Sequence, residues 1–141
     1  MHTTSHRQQL EPARIDASGD RSATGRLGER LAADHLVAID GLTLLARNWR
    51  VAAGELRGEL DVVAIDERDA TLVVCEVKTR RDAARFGGAV AALGDRQRVR
   101  LRALTAAFLR ESAPSCHRVR LDLIAVDLGR TPSLTHLVAA L

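Results

Sequence analysis

The chain has 141 residues, room for one domain with one hydrophobic core and not for two comfortable ones. Hydrophobic residues make up 46% and aromatic residues only 2%, which argues against nucleic-acid recognition by stacked rings. The net charge of +3 leans gently toward an anionic partner. No apolar run approaches the roughly 18 residues of a membrane span, and the polar start of the chain has no signal-like apolar stretch. The two cysteines, Cys75 and Cys116, are too few for a disulfide framework, so a reduced, cytoplasmic protein is expected.

Residues 1–22 carry few large apolar side chains and read as a disordered leader, and 23–141 as the folded domain. A first helix is expected from Thr24, as its N-cap, to about Asp40, closed by Gly41. Leu27, Leu31, His35 and Leu36 share its apolar face, where His35 is read as packing. Glu29 lies at the border of that face. A strand over 43–51 and a glycine-containing turn over 52–58 come next. Leu60–Asp66 and 71–79 read as strands joined by the polar turn Glu67-Arg68-Asp69-Ala70. Both are apolar on both faces, as central strands covered by helices on each side must be. A basic loop over 80–88 leads to a second helix over 89–111, stopped by the loop containing Pro114. Strands follow over 118–128 and, weakly, 134–140. The order is α-β-β-β-α-β plus a terminal strand, an α/β architecture.

The chemistry gathers on the hairpin. If its turn is centred between Arg68 and Asp69, Asp61 stands directly opposite Glu76, with β-carbons roughly 5 Å apart on one face. Lys78, two residues on, shares that face, while Cys75 falls on the other and is read as core. Charges at 61, 76 and 78 interrupt otherwise apolar runs, where a charge without a task is costly. Two carboxylates suit Mg²⁺ or Mn²⁺, which binds through oxygen ligands, waters and substrate phosphates. A lysine beside them can hold an attacking water or, where a nearby metal depresses its pKa, deprotonate it as the neutral amine.

Composition singles out the same lysine. Of 21 basic residues, 20 are Arg, and the one lysine is Lys78. A drift toward arginine would spare only a position where guanidinium cannot replace ammonium.

Several motifs together resemble one family: Gly28-Glu29 with Ala32, Arg47-Asn48-Trp49-Arg50, Gly58-Glu59-Leu60-Asp61, Glu76-Val77-Lys78-Thr79-Arg80, Phe86-Gly87 and Arg120-Leu121-Asp122. Over about residues 25–141 the sequence resembles the YraN family of bacterial proteins. That family has the PD-(D/E)xK, restriction-endonuclease-like fold, with a mixed central sheet flanked by helices, and is similar to archaeal Holliday-junction resolvases. The resemblance implies Asp61 and Glu76 as metal ligands, Lys78 as the catalytic lysine and Glu29 as an accessory acid. It also suggests that Gln97, on the apolar face of the second helix, points at the active site; satisfaction by nearby backbone is the alternative. Where the family commonly has Lys before that Gln, this chain has Arg96, so no primary amine is available there.

Glu59 lines the site if its strand already runs straight there, and is otherwise an acid at the hairpin edge. Arg80, Arg81 and Arg85 flank the lysine and are placed to meet phosphates. Arg96, Arg98, Arg100 and Arg102 spread around their helix and read as solvated, and Arg120 with Asp122 as a structural pair. The expectation is a Mg²⁺- or Mn²⁺-dependent endonuclease acting on nucleic acid, most simply branched or repair-intermediate DNA. A homodimer is expected by analogy with resolvases. The alternatives are a non-catalytic nucleic-acid-binding module on a nuclease scaffold and a protein-interaction adaptor.

Overall fold

A computed structural model of the chain describes residues 4–11, 20–52, 54–81 and 93–141. Its elements are β1 (Ser5–Gln9), α1 (Arg21–Ala38), β2 (Thr43–Trp49), β3 (Leu60–Asp66), β4 (Thr71–Arg80), α2 (Asp95–Ser112), β5 (Arg118–Asp127) and β6 (Ser133–Leu137). The β3–β4 hairpin has the expected register, with Val62 opposite Cys75 and Asp66 opposite Thr71. Its turn is built from short acids. Asp66 Oδ1 accepts from the Arg68 N–H at 3.1 Å, Asp69 Oδ1 accepts from the Thr71 N–H at 3.2 Å, and Ala70 adopts a φ of 55°.

β4 pairs in parallel with β5, and the crossover between them contains α2. Every other pairing is antiparallel, and the six strands lie in the order β1-β6-β5-β4-β3-β2. The fold is thus α/β, with a mixed central sheet and, among the described residues, two helices, consistent with a restriction-endonuclease-like core. Strand alternation divides the core into two layers. Val62, Cys75, Ile124 and Val126 pack with Leu31 and Leu36 of α1. Leu60, Val63, Leu72 and Val74 pack with Leu101, Leu104 and Phe108 of α2, where Trp49 meets Phe108 edge to face at 5.2 Å. No helix among the described residues is long and apolar enough to cross a membrane.

Three expectations need correction. The stretch read as a disordered leader contributes β1, which adds to the β6 edge through pairs such as His6 with His136. Its polarity concealed it, because an exposed edge strand needs no apolar alternation. α1 begins three residues before Thr24, at Arg21. Asp20 is the N-cap and accepts from the Ala23 N–H at 2.8 Å, leaving the Thr24 hydroxyl to accept from Arg81 Nε at 3.0 Å. α2 begins at Asp95 with Gly94 as an extended N-cap, so Leu93 is not helical; the expected start over 89–92 lies outside the described residues.

Gly28 sets how closely α1 lies on β4. A β-carbon there would overlap Thr79 Oγ1 and come within 2.8 Å of Thr79 Cβ, which is anchored to the strand and cannot swing away. Gly28→Ala is therefore expected to destabilise the protein by about 1–3 kcal/mol of overpacking, less up to about 1 kcal/mol of improved helix propensity. Urea denaturation measures this directly, and an unchanged midpoint would mean that the helix is seated less tightly.

Candidate active site

Asp61 is the second residue of β3 and lies three positions after Gly58, which has a φ of 102° just before the strand. Asp61 is 8% exposed, and its Oδ2 accepts from the Val77 N–H at 2.9 Å, where the β3–β4 ladder has ended. An aspartate thus completes the sheet's hydrogen bonding, which fixes its position to the backbone of β4.

Around it stand three more acids. One carboxylate oxygen each from Glu29, Glu59 and Asp61 lie within 4.8 Å of one another. Glu76 lines the same cleft as Asp61 and Glu59, near enough for its charge to act on Asp61. Burial, and next the charge of Glu76, push Asp61 up to about 8, against the Val77 N–H, which favours the anion. Glu29, half-buried, is also raised, first by desolvation and then by Glu59, with Arg47 opposing. A proton on Asp61 relieves the repulsion among these carboxylates. A hard divalent cation would take over that task, and the all-oxygen donor set fits Mg²⁺ or Mn²⁺.

Two of the acids are held by the end of β2. Asn48 Nδ2 donates to Glu29 Oε2 at 3.1 Å, and Arg50 Nε donates to Glu59 Oε2 at 3.0 Å. Asn48 has a φ of 50°, in the left-handed region that asparagine tolerates better than most residues. The Arg47-Asn48-Trp49-Arg50 motif was visible in the sequence, but its role in steadying the acids was not. An asparagine at a strand end was the available signal.

Lys78 Nζ lies 3.5 Å from Glu76 Oε1, with its side chain about a quarter exposed (24%). Two clefts adjoin the cluster. One, of about 200 Å³, is lined by Glu59, Asp61, Glu76, Gln97, Arg98 and Arg100. The other, of about 770 Å³, is lined by Glu29, Lys78, Arg80 and Arg81 together with the first turns of α1.

The structure thus brings Asp61, Glu76, Lys78, Glu29 and Glu59 together. Arg80 and Arg81 border the same region, and Arg85 lies outside the described residues. Gln97 is exposed rather than buried in the α2 core face, yet it does line the acidic cleft. Arg98 and Arg100, expected on a solvated face, also line it. Arg100 is three residues from Gln97, a spacing that places both on one side of a helix.

The model of Uncharacterised protein family UPF0102 matches residues 28–126, a span that includes Glu29, Asp61, Glu76 and Lys78. A UPF0102 protein of Mycolicibacterium gilvum is 44% identical over 119 residues, covering 83% of this chain and 92% of that one. A UPF0102 protein of Mycobacterium tuberculosis is 42% identical over 122 residues, covering 83% and 91%. One from Acidothermus cellulolyticus is 52% identical over 93 residues, covering 66% and 64%. With a family match over most of the chain and relatives of this similarity, the protein belongs to the UPF0102 family, which is the YraN family.

Proposed function

We propose that the protein is a metal-dependent nuclease that hydrolyses phosphodiester bonds in nucleic acid, with branched or repair-intermediate DNA as the substrate class. The observation that carries this reading is the carboxylate cluster around Asp61, beside Lys78 and between two arginine-bordered clefts. Asp61 and Glu76 would hold Mg²⁺ or Mn²⁺, with Glu29 and Glu59 as further oxygen donors. When bound, the ion supplies Lewis acidity and makes water a better nucleophile. The chain's own groups do the rest. Val77 N–H fixes Asp61, and Asn48 and Arg50 fix Glu29 and Glu59. Lys78 orients the attacking water and, in its neutral amine form, takes up its proton to become the ammonium, while Arg80 and Arg81 meet the phosphates on either side of the scissile bond. Gln97 and Arg100 lie across the smaller cleft, where they can reach a phosphate or a base edge.

The test is a cleavage panel of single-stranded, duplex, flap and four-way-junction DNA, and RNA, with Mn²⁺ and with Mg²⁺. Cutting of at least one substrate by the wild type, abolished by Asp61→Asn, is expected. Failure to cut any of them with either ion would overturn the reading. Salt-dependent DNA binding without cleavage would favour a non-catalytic binding module, which the arginines at the clefts could also serve.

A further inference from the structure

On the β1–β6 side of the sheet lies a second group of metal-ligating side chains, independent of the reading above. His35 comes from the inner face of α1, Asp40 from just beyond that helix and His136 from β6. The two rings are 5% and 1% exposed. Each is oriented by an acceptor. His136 Nε2 lies 2.7 Å from Oδ2 of the fully buried Asp122, and His35 Nδ1 lies 2.9 Å from Gln8 Oε1 of β1. A ring that donates from one nitrogen presents a bare lone pair at the other.

Those other nitrogens, His35 Nε2 and His136 Nδ1, are buried and have no hydrogen-bond partner. Both nevertheless face one carboxylate: Asp40 Oδ2 is 3.7 Å from His35 Nε2 and 3.1 Å from His136 Nδ1. The shorter contact lacks the alignment of a hydrogen bond, and a His136 imidazolium bridging Asp40 and Asp122 would still leave His35 Nε2 without a partner. Two lone pairs and an anion converging in a buried place repel one another unless a cation sits among them. The separations match one. Tetrahedral ligands at about 2.0 Å from Zn²⁺ stand about 3.3 Å apart, between the two observed distances. A metal-bound histidine usually donates its second nitrogen to a carboxylate or carbonyl oxygen, the role that Asp122 and Gln8 fill.

We propose that His35, Asp40 and His136 form a metal site for Zn²⁺ or another imidazole-preferring divalent ion. Its fourth position opens to a cleft of about 410 Å³ lined by His6, Asp40, Arg120 and His136. The nitrogen-rich donor set separates it from the all-oxygen cluster around Asp61, so the two sites take different ions. Two nearby cations are held by other acids: Arg120 by Asp122 through two contacts of 2.9 Å, and Arg68 by Asp66 at 2.8 and 2.9 Å, with its Nη2 also donating to the Asp40 backbone oxygen at 3.0 Å. Bound metal would clasp α1 to β6 and, through Gln8, hold β1 on the sheet edge.

The test titrates Co²⁺ into chelator-stripped full-length wild type, and into Asp61→Asn/Glu76→Gln protein to silence the oxygen site. One equivalent with the intense visible bands of a tetrahedral nitrogen–oxygen site, displaced by Zn²⁺, is expected in both. Asp40→Asn is expected to weaken Co²⁺ binding by at least about a hundredfold. Gln8→Ala, which removes only the orienting group, should weaken it by about tenfold. Zn²⁺ should also raise the wild-type melting temperature, a readout that needs no variant to fold. Absence of the bands together with an unmoved melting temperature would overturn the site. So would undiminished binding in Asp40→Asn, or nitrogen NMR of wild type with excess Zn²⁺ showing both His136 ring nitrogens protonated.

Discussion

Lys78→Arg is expected to fold, to keep binding nucleic acid and divalent metal, and to lose at least about a hundredfold in cleavage rate, a typical scale for an acid–base group. Arginine is the natural replacement in a chain with 20 arginines and one lysine, and it preserves the charge. It does not preserve the shape or the chemistry. Nζ sits 3.5 Å from Glu76 Oε1, in a place only about a quarter exposed (24%), where a compact amino group fits behind one water. A planar guanidinium is broader and stays protonated, so it can neither occupy the same point nor accept the water's proton. Single-turnover cleavage of whichever substrate the wild type cuts gives the comparison. Near wild-type rates in Lys78→Arg would show that positive charge alone is required there.

Asp61→Asn should change stability in opposite directions without and with metal. The ordinary aspartate value is 3.8, and burial with the Glu76 charge raises Asp61 to about 8 in the folded protein. Between those values the folded state holds a proton that the unfolded chain has released. Wild-type stability therefore falls as pH rises from about 4 through about 8, and levels off above. Asparagine keeps the oxygen that accepts from Val77 N–H and never has to ionise. Without metal, the variant's melting temperature should stay flatter over this range and stand several degrees above wild type near pH 8, on the order of a few kcal/mol. Adding Mn²⁺ should then raise the wild type by binding linkage and leave the variant nearly unmoved. Scanning calorimetry at several pH values, with and without Mn²⁺, measures both. Parallel pH profiles would contradict the proton on Asp61, and equal Mn²⁺ shifts would remove Asp61 from the metal site.

What could be read early was what is local in the chain. The β3–β4 hairpin is self-contained: two runs of apolar, mostly β-branched residues and a turn of acids set its register, and that register carries Asp61, Glu76 and Lys78 together. Composition marked the lysine, because one residue type survived at a single position. Glu29 came from the resemblance, since nothing local says that a helix residue meets a strand end.

Contacts between distant segments were decided by the tertiary structure. β1 is polar and became a strand only because β6 offered an unpaired edge. Asn48 and Arg50 acquired their partners when β2 docked beside β3. Gln97 and Arg100 reached the acidic cleft through the placement of α2, which helical periodicity alone cannot orient toward one end of a sheet. His35 looked like a packing residue because its face of α1 is apolar. Its meeting with Asp40 and His136 needed that helix laid on the sheet that β6 joins, an arrangement for which the local sequence carries no signal. Periodicity and turn chemistry thus determined the hairpin and the placement of Asp61, Glu76 and Lys78 on it, whereas packing of remote elements decided which polar groups surround them.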